Sequence, residues 1–331
     1  MIDNILILVA GFAALIKGAG WLVEGATNMA RRLGVSTLVL GLTVVAFGTS
    51  LPELAISVLA AVEGSSKIAL GNVIGSNFAN IGLILGISAI IAPIIVRSST
   101  IWKEIPFALA AAVIMLLLTF DTRVAEGTQD LLTSRDGLIL LIVFVMFLFY
   151  IFSVGLSERR SFFHRDKEFK VETEEAHMKW PAIAALIIVG IVLVFGGGEL
   201  VVRSSLALAL VWGLSESFIG ITIIAVGTSL PELVTTLIAA YKGHSDIAVG
   251  NIVGSNIFNS LFILGIASFI HPLEIDSHLW VDGIFMVGLT VLLWIFSGYR
   301  HRLGRYKGII LLVLYIAYIC YVVWRQGLIY L

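Results

Sequence analysis

The sequence predicts an all-α polytopic membrane protein of ten transmembrane helices, built as two inverted five-helix repeats. Three observations carry this reading. Hydrophobic residues make up 59% of the chain and charged residues only 13%, with a mean hydropathy of +1.04; soluble domains carry about a quarter charged residues. Residues 41–86 return 179 positions later as residues 220–265, identical at 25 of 46 positions without a gap. A single hydrophilic segment near the middle separates five apolar runs from five more.

In chain order the runs are 5–23, 38–62, 68–95, 101–118, 138–151, 181–202, 214–241, 247–270, 281–295 and 308–323. Most approach the roughly 20 residues that a spanning helix needs. The first follows Met1-Ile2-Asp3, with no basic leader, and so reads as a retained span and not a cleaved signal peptide. The hydrophilic segment 157–179 balances six acidic against six basic residues, which fits a solvated linker or surface helix. It divides the chain into residues 1–156, holding the first repeated stretch, and residues 180–331, holding the second. With the N-terminus outside, the inside loops hold fifteen Lys and Arg against five outside, leaving Lys17 within the first span. By the positive-inside rule both termini are therefore expected outside and the linker in the cytoplasm. Five is odd, so the second half enters from the opposite side. Inverted repeats with interrupted helices at the midplane are the pattern of secondary transporters, and the interruptions mark the binding site.

The repeated stretch concentrates the polar residues. Each copy carries Gly-Thr-Ser-Leu-Pro-Glu, ending at Glu53 and Glu232, and then Gly-Asn-x-x-Gly-Ser-Asn-x-x-Asn, ending at Asn80 and Asn259. These two glutamates are read as the only acids well inside long apolar runs. A carboxylate at the centre of a span costs roughly 2.5–3.5 kcal/mol and needs a partner. No Lys or Arg lies within a helical turn of either, so the simplest partner is a bound cation or a proton. Pro52 and Pro231 obstruct the helix at Gly48 and Gly227, which should break it and loosen carbonyls near Ala46 and Ala225. Thr49 and Ser50 precede Glu53 by four and three residues and share its helix face, as Thr228 and Ser229 do with Glu232. Ser76 with Asn80, and Ser255 with Asn259, are likewise four apart. Every candidate ligand is oxygen, which suits Ca²⁺, Mg²⁺ or Na⁺, and a flexible ring of six to eight suits Ca²⁺ best.

Plainer readings exist for single residues. Paired glycines at 71 and 75, 82 and 86, or 250 and 254 commonly serve close helix packing. Ser and Thr in a span often bond back to their own helix. Asn77 and Asn256 suit holding a broken helix as well as touching an ion. All six histidines fall in or near predicted loops, and the single Cys320 reads as packing, excluding a disulfide framework. No basic stripe suggests nucleic acid, and nothing in the sequence calls for a prosthetic group or an obligatory protein partner. An intramembrane enzyme built on a carboxylate pair lacks a nucleophile or histidine, so the chain reads as no enzyme.

Together the paired motifs resemble the alpha-repeats of the sodium/calcium exchanger family, within the cation/calcium antiporter superfamily and of prokaryotic type. The resemblance covers nearly the whole chain. It implies a multi-pass protein of the cell (inner) membrane that exchanges Na⁺ for Ca²⁺ by alternating access, with Ca²⁺ and Na⁺ as substrates. The ion sites would lie among the second, third, seventh and eighth spans. Carried onto matching positions, the ligands are Glu53, Asn80, Glu232, Asn259, Thr49, Ser50, Ser76, Thr228, Ser229, Ser255 and the carbonyls of Ala46 and Ala225. The first and sixth spans would slide as gates, with Gly18-Ala19-Gly20 and Gly196-Gly197-Gly198 as small surfaces for the motion. Some relatives, including potassium-dependent ones, carry Asp where this chain has Asn259, which argues against potassium co-transport. The competing transport reading is Ca²⁺/H⁺ exchange on the same carboxylates, and a channel is the remaining one.

Overall fold

The computed structural model describes residues 2–119, 131–168, 178–211, 225–275 and 279–325. Its elements are α1 (Ile2–Leu33), α2 (Thr37–Thr49), α3 (Leu51–Val62), α4 (Ser66–Ile91), β1 (Ile94–Ile95), α5 (Thr100–Thr119), β2 (Leu131–Leu132), α6 (Ser134–Glu168), α7 (Trp180–Val211), α8 (Ala225–Thr228), α9 (Leu230–Tyr241), α10 (Ser245–Ile270), β3 (Leu273–Glu274), α11 (Leu279–Gly298), β4 (Arg302–Leu303) and α12 (Arg305–Arg325). Among the described residues, eight helices are long and apolar enough to cross a membrane, or nine if the bent pair α2–α3 is one span. The span expected over 214–241 appears here only from α8 onward. Its first half, with Gly220 and Glu216, lies outside the described residues, as do His177, His278, Arg123 and Lys170.

The second span is broken as its proline requires. Pro52 takes one of the first two positions of α3, where a missing N–H is harmless, and Ser50 leaves helical geometry at φ −86°, ψ 11°. The axes of α2 and α3 differ by 50°. Ser229, ahead of Pro231, repeats the break at φ −89°, ψ 7°. Sequence reasoning did not anticipate the wide π-helical turns at Gly41–Val45, Asn80–Leu85, Thr100–Glu104 and Phe258–Ile263. Such turns occur often at functional sites, and Asn80 and Asn259 sit at the start of two of them.

α1 and α7 lie against each other over most of their length. A Cβ on Gly11 would meet Val201 and the Gly197 carbonyl, one on Gly18 would meet Leu193 and Gly190, and one on Gly25 would meet Ile187. Rising numbers on one helix face falling numbers on the other, so the pair is antiparallel, seamed by glycines seven residues apart. The small residues expected on these surfaces are divided between the seam and other neighbours. Gly18 and Gly197 are in the seam, whereas Gly20 faces Lys242 and Gly198 faces Pro231. Short antiparallel strand pairs staple the loops: β1 pairs with β4 and β2 with β3.

Three further features bear on the sequence reading. Cys320 is exposed on α12 and not packed. α6 continues helically to Glu168, so the linker begins as an extension of a span. Glu104, which the sequence did not single out, is 2% exposed; it sits in the π-turn opening α5 and takes the Tyr150 hydroxyl hydrogen on Oε1 at 2.5 Å, a partner that its own stretch of sequence does not reveal.

Candidate ion site

The breaks at Ser50 and Ser229 turn two glutamates into the first turns of α3 and α9, where a helix N-terminus favours negative charge. The preceding ends, at Thr49 and Thr228, present the carbonyl poles of their short helices, which favour cations. Both carboxylates are 1% exposed and lie within Coulombic reach of each other.

The two halves supply each other's hydrogen bonds. Ser50 Oγ donates to Glu232 Oε1 at 2.8 Å, and Ser229 Oγ points to Glu53 Oε1 at 3.4 Å. Asn80 Nδ2 donates to Asn256 Oδ1 at 2.9 Å, and Asn259 Nδ2 to Asn77 Oδ1 at 3.1 Å. Behind them, Asn72 Nδ2 donates to Ser57 at 2.9 Å and Asn251 Nδ2 to Thr236 at 2.9 Å. In each pair the second bond is the first with both residues shifted by 179. A contact in which i meets j and j meets i is the mark of a two-fold relation.

Most expected ligands converge here. Ser50 also contacts Ser255 Oγ at 2.9 Å, and Ser76 and Thr49 stand beside Glu53 and Glu232 respectively. Thr49 Oγ1 reaches Asn251 Oδ1 at 3.1 Å. The Ala46 carbonyl is less free than expected, since it accepts the Ser50 N–H at 3.0 Å and lies 3.3 Å from the Thr49 hydroxyl. The proline acts one turn later: Pro52 has no N–H to give Gly48. Thr228 is half-buried at the end of α8; the Ala225 backbone starts α8, and its side chain lies outside the described residues. Sequence reasoning missed Asn72 and Asn251, although their place in the duplicated Gly-Asn pair was the available signal.

Among the described residues, four buried oxygens of the site have no donor: Glu53 Oε2, Glu232 Oε2, Asn80 Oδ1 and Asn259 Oδ1. Buried polar atoms are ordinarily paired, and here the four orphans come from the four duplicated residues. Two carboxylate and two amide oxygens form a hard donor set that fits Ca²⁺ or Na⁺.

Comparison with known proteins agrees with this chemistry. The profile of the family described as sodium/calcium exchanger protein matches residues 4–153 and 182–324. Sodium/calcium exchanger MaX1 of Methanosarcina acetivorans is 32% identical over 340 residues, covering 96% of this chain and 97% of its own. Inner membrane protein YrbG of Escherichia coli is 32% identical over 322 residues, covering 96% of each chain. A solved structure of the sodium-calcium exchanger NCX_Mj superposes with a TM-score of 0.80 at 34% identity, covering 96% of this chain and 98% of its own.

Proposed function

Since the chain belongs to the sodium/calcium exchanger family, whose members are transporters and not enzymes, we propose that it is a Na⁺/Ca²⁺ antiporter working by alternating access. The observation that carries this is the quartet of unpaired oxygens at Glu53, Asn80, Glu232 and Asn259. One Ca²⁺ or two Na⁺ neutralise the two carboxylates, so the ions compete for one donor set, as counter-transport requires. Ser50, Ser229, Ser76, Ser255, Thr49, Thr228 and the carbonyls of Ala46 and Ala225 complete the proposed shell, with the Ala46 oxygen offering a remaining lone pair.

The ten-span inverted architecture is part of the same proposal. It is supported by the antiparallel seam of α1 with α7, which are matching spans of the two halves. The staples support it too: β1 follows the third span and meets the loop before the last, while β3 follows the eighth and meets the loop before the fifth. Alternating loops put the members of each staple on one side. The domain division at 157–179, both termini outside and the cytoplasmic linker follow from the loop charges. Residence in the inner membrane is consistent with the name of the Escherichia coli relative.

The test is isotopic Ca²⁺ uptake into proteoliposomes loaded in turn with Na⁺, K⁺ and protons. Uptake driven by internal Na⁺ alone is expected. Uptake driven equally by a proton gradient without Na⁺ would replace this reading with Ca²⁺/H⁺ exchange, and uptake without any counter-ion would replace it with a channel.

A further inference from the structure

Beyond the ion site, four more buried hydroxyls have no hydrogen-bond partner among the described residues, Ser36, Ser88, Thr235 and Ser297, and of these only Thr235 and Ser88 lie on the helices that carry Glu232 and Asn80. Thr235 and Ser88 are each 0% exposed, and neither hydroxyl has a hydrogen-bond partner. Hydroxyls inside helices ordinarily bond back to a carbonyl three or four residues earlier. Thr27, Thr43, Thr119, Thr290, Ser204 and Ser268 all do so in this chain. Thr235 and Ser88, like Ser297 near the end of α11, leave that option unused.

Their placement is specific. Thr235 follows Glu232 by three residues, one turn further along the same face of α9. Ser88 lies about two turns past Asn80 on α4, in the part of α4 that packs against α9. The unpaired oxygens of Glu232 and Asn80 are therefore each followed, away from the helix break, by an unpaired hydroxyl on two helices that touch. The other half has no equivalent: 179 positions away stand Ile56 for Thr235 and Ala267 for Ser88.

We propose that Thr235 and Ser88 form a cation station between the central site and the end of the molecule toward which α9 runs, which loop charge makes the cytoplasmic face. This rests on the exchanger reading above. The ligand is a hard cation, Na⁺ or Ca²⁺, shedding or regaining water as it passes. Two neutral oxygens suit such a role, because conduction needs a stop that binds enough to admit an ion and too little to keep it. A third carboxylate there would trap Ca²⁺. The opposite face lacks the stop, so the two faces should differ in apparent affinity.

Sided proteoliposomes test this by the half-saturating Ca²⁺ concentration at each face, for the wild type and for Thr235→Val combined with Ser88→Ala. The expected result is a rise of about three- to tenfold at the cytoplasmic face, the equivalent of one modest oxygen contact, with the outer face unchanged and Thr235→Ser behaving as wild type. An unchanged outer face also shows that the variant is folded. A second variant, Ile56→Thr with Ala267→Ser, should lower the half-saturating concentration at the outer face, and it decides the matter if the first does not assemble. Equal shifts at both faces, or none in either variant, overturn the station while leaving the exchanger reading intact. A wild type without Na⁺-driven Ca²⁺ flux defeats the exchanger reading itself.

Discussion

Glu53 and Glu232 are each held by one hydroxyl from the other half and left with one oxygen unpaired. Replacing either by Gln keeps the shape and removes a formal charge. At 4 Å and an effective dielectric of about 20 that charge is worth about 4 kcal/mol toward a monovalent cation, roughly a thousandfold in binding. Glu53→Gln and Glu232→Gln should therefore each abolish Na⁺-gradient-dependent ⁴⁵Ca²⁺ flux while eluting as folded protein; retained exchange in both would refute the assignment. The asparagine network supports a finer comparison. Asn77 accepts from Asn259 and donates to Ser260 at 2.7 Å, whereas its counterpart Asn256 accepts from Asn80. Losing a partner of a buried group costs about 1–3 kcal/mol, so Asn77→Ala should depress Tm more than Asn256→Ala in a thermal melt of the purified protein. The glutamates were legible in the sequence because isolated carboxylates in apolar runs are conspicuous and these are duplicated. The Asn72–Ser57 and Asn251–Thr236 bonds were not, because they join neighbouring helices through a lateral fit that no periodicity encodes. Glu104 escaped notice for the same reason, its partner Tyr150 being 46 positions away.

Among the elements, the seam between α1 and α7 makes the strictest demand on sequence. A Cβ at Gly18 would stand 2.7 Å from Leu193 Cβ and 2.9 Å from the Gly190 carbonyl, whereas one at Gly20 would meet only Lys242 Nζ at 3.7 Å. Alanine in place of glycine within a helix gains about 0.5–1 kcal/mol where there is room. Gly20→Ala should thus hold or raise Tm, while Gly18→Ala, two residues away, should lower it and slow exchange by prising the two helices apart. Matching Tm values for the two variants would show that the seam is not tightly packed. The helix breaks before Pro52 and Pro231 could be read directly, since proline dictates them. The π-turns could not, because one extra residue in a turn leaves no mark on an apolar pattern. The far end of α6 was left between helix and linker, since a charged helix and a charged linker share a composition.

Across the whole molecule, two halves with matching sequences are not in matching surroundings. α1 packs along α9 in addition to α7, and no comparable packing joins α7 to α3 among the described residues. Lys242, at the end of α9, reaches across to the Gly20 carbonyl of α1 at 3.3 Å. Matched positions differ accordingly: Pro231 and Thr235 are buried, while Pro52 and Ile56 are only half-buried. The site itself is buried, and in a transporter with two-fold related halves the less covered flank is the one expected to open it first. Here that side is the one toward which α3 runs, which the orientation proposed above makes the outside. Because Cys320 is the single cysteine, a Cys320→Ser background makes the idea measurable with a membrane-impermeant maleimide. Ile56→Cys should label from the outside, whereas Thr235→Cys should resist reagent applied inside until the ion gradient drives the opposite state. Alternation of this kind needs both flanks to be able to close, so conditions that open Thr235→Cys to label must at the same time protect Ile56→Cys. Simultaneous labelling of both would mean a continuous pore, and with it the loss of the coupling that makes exchange possible.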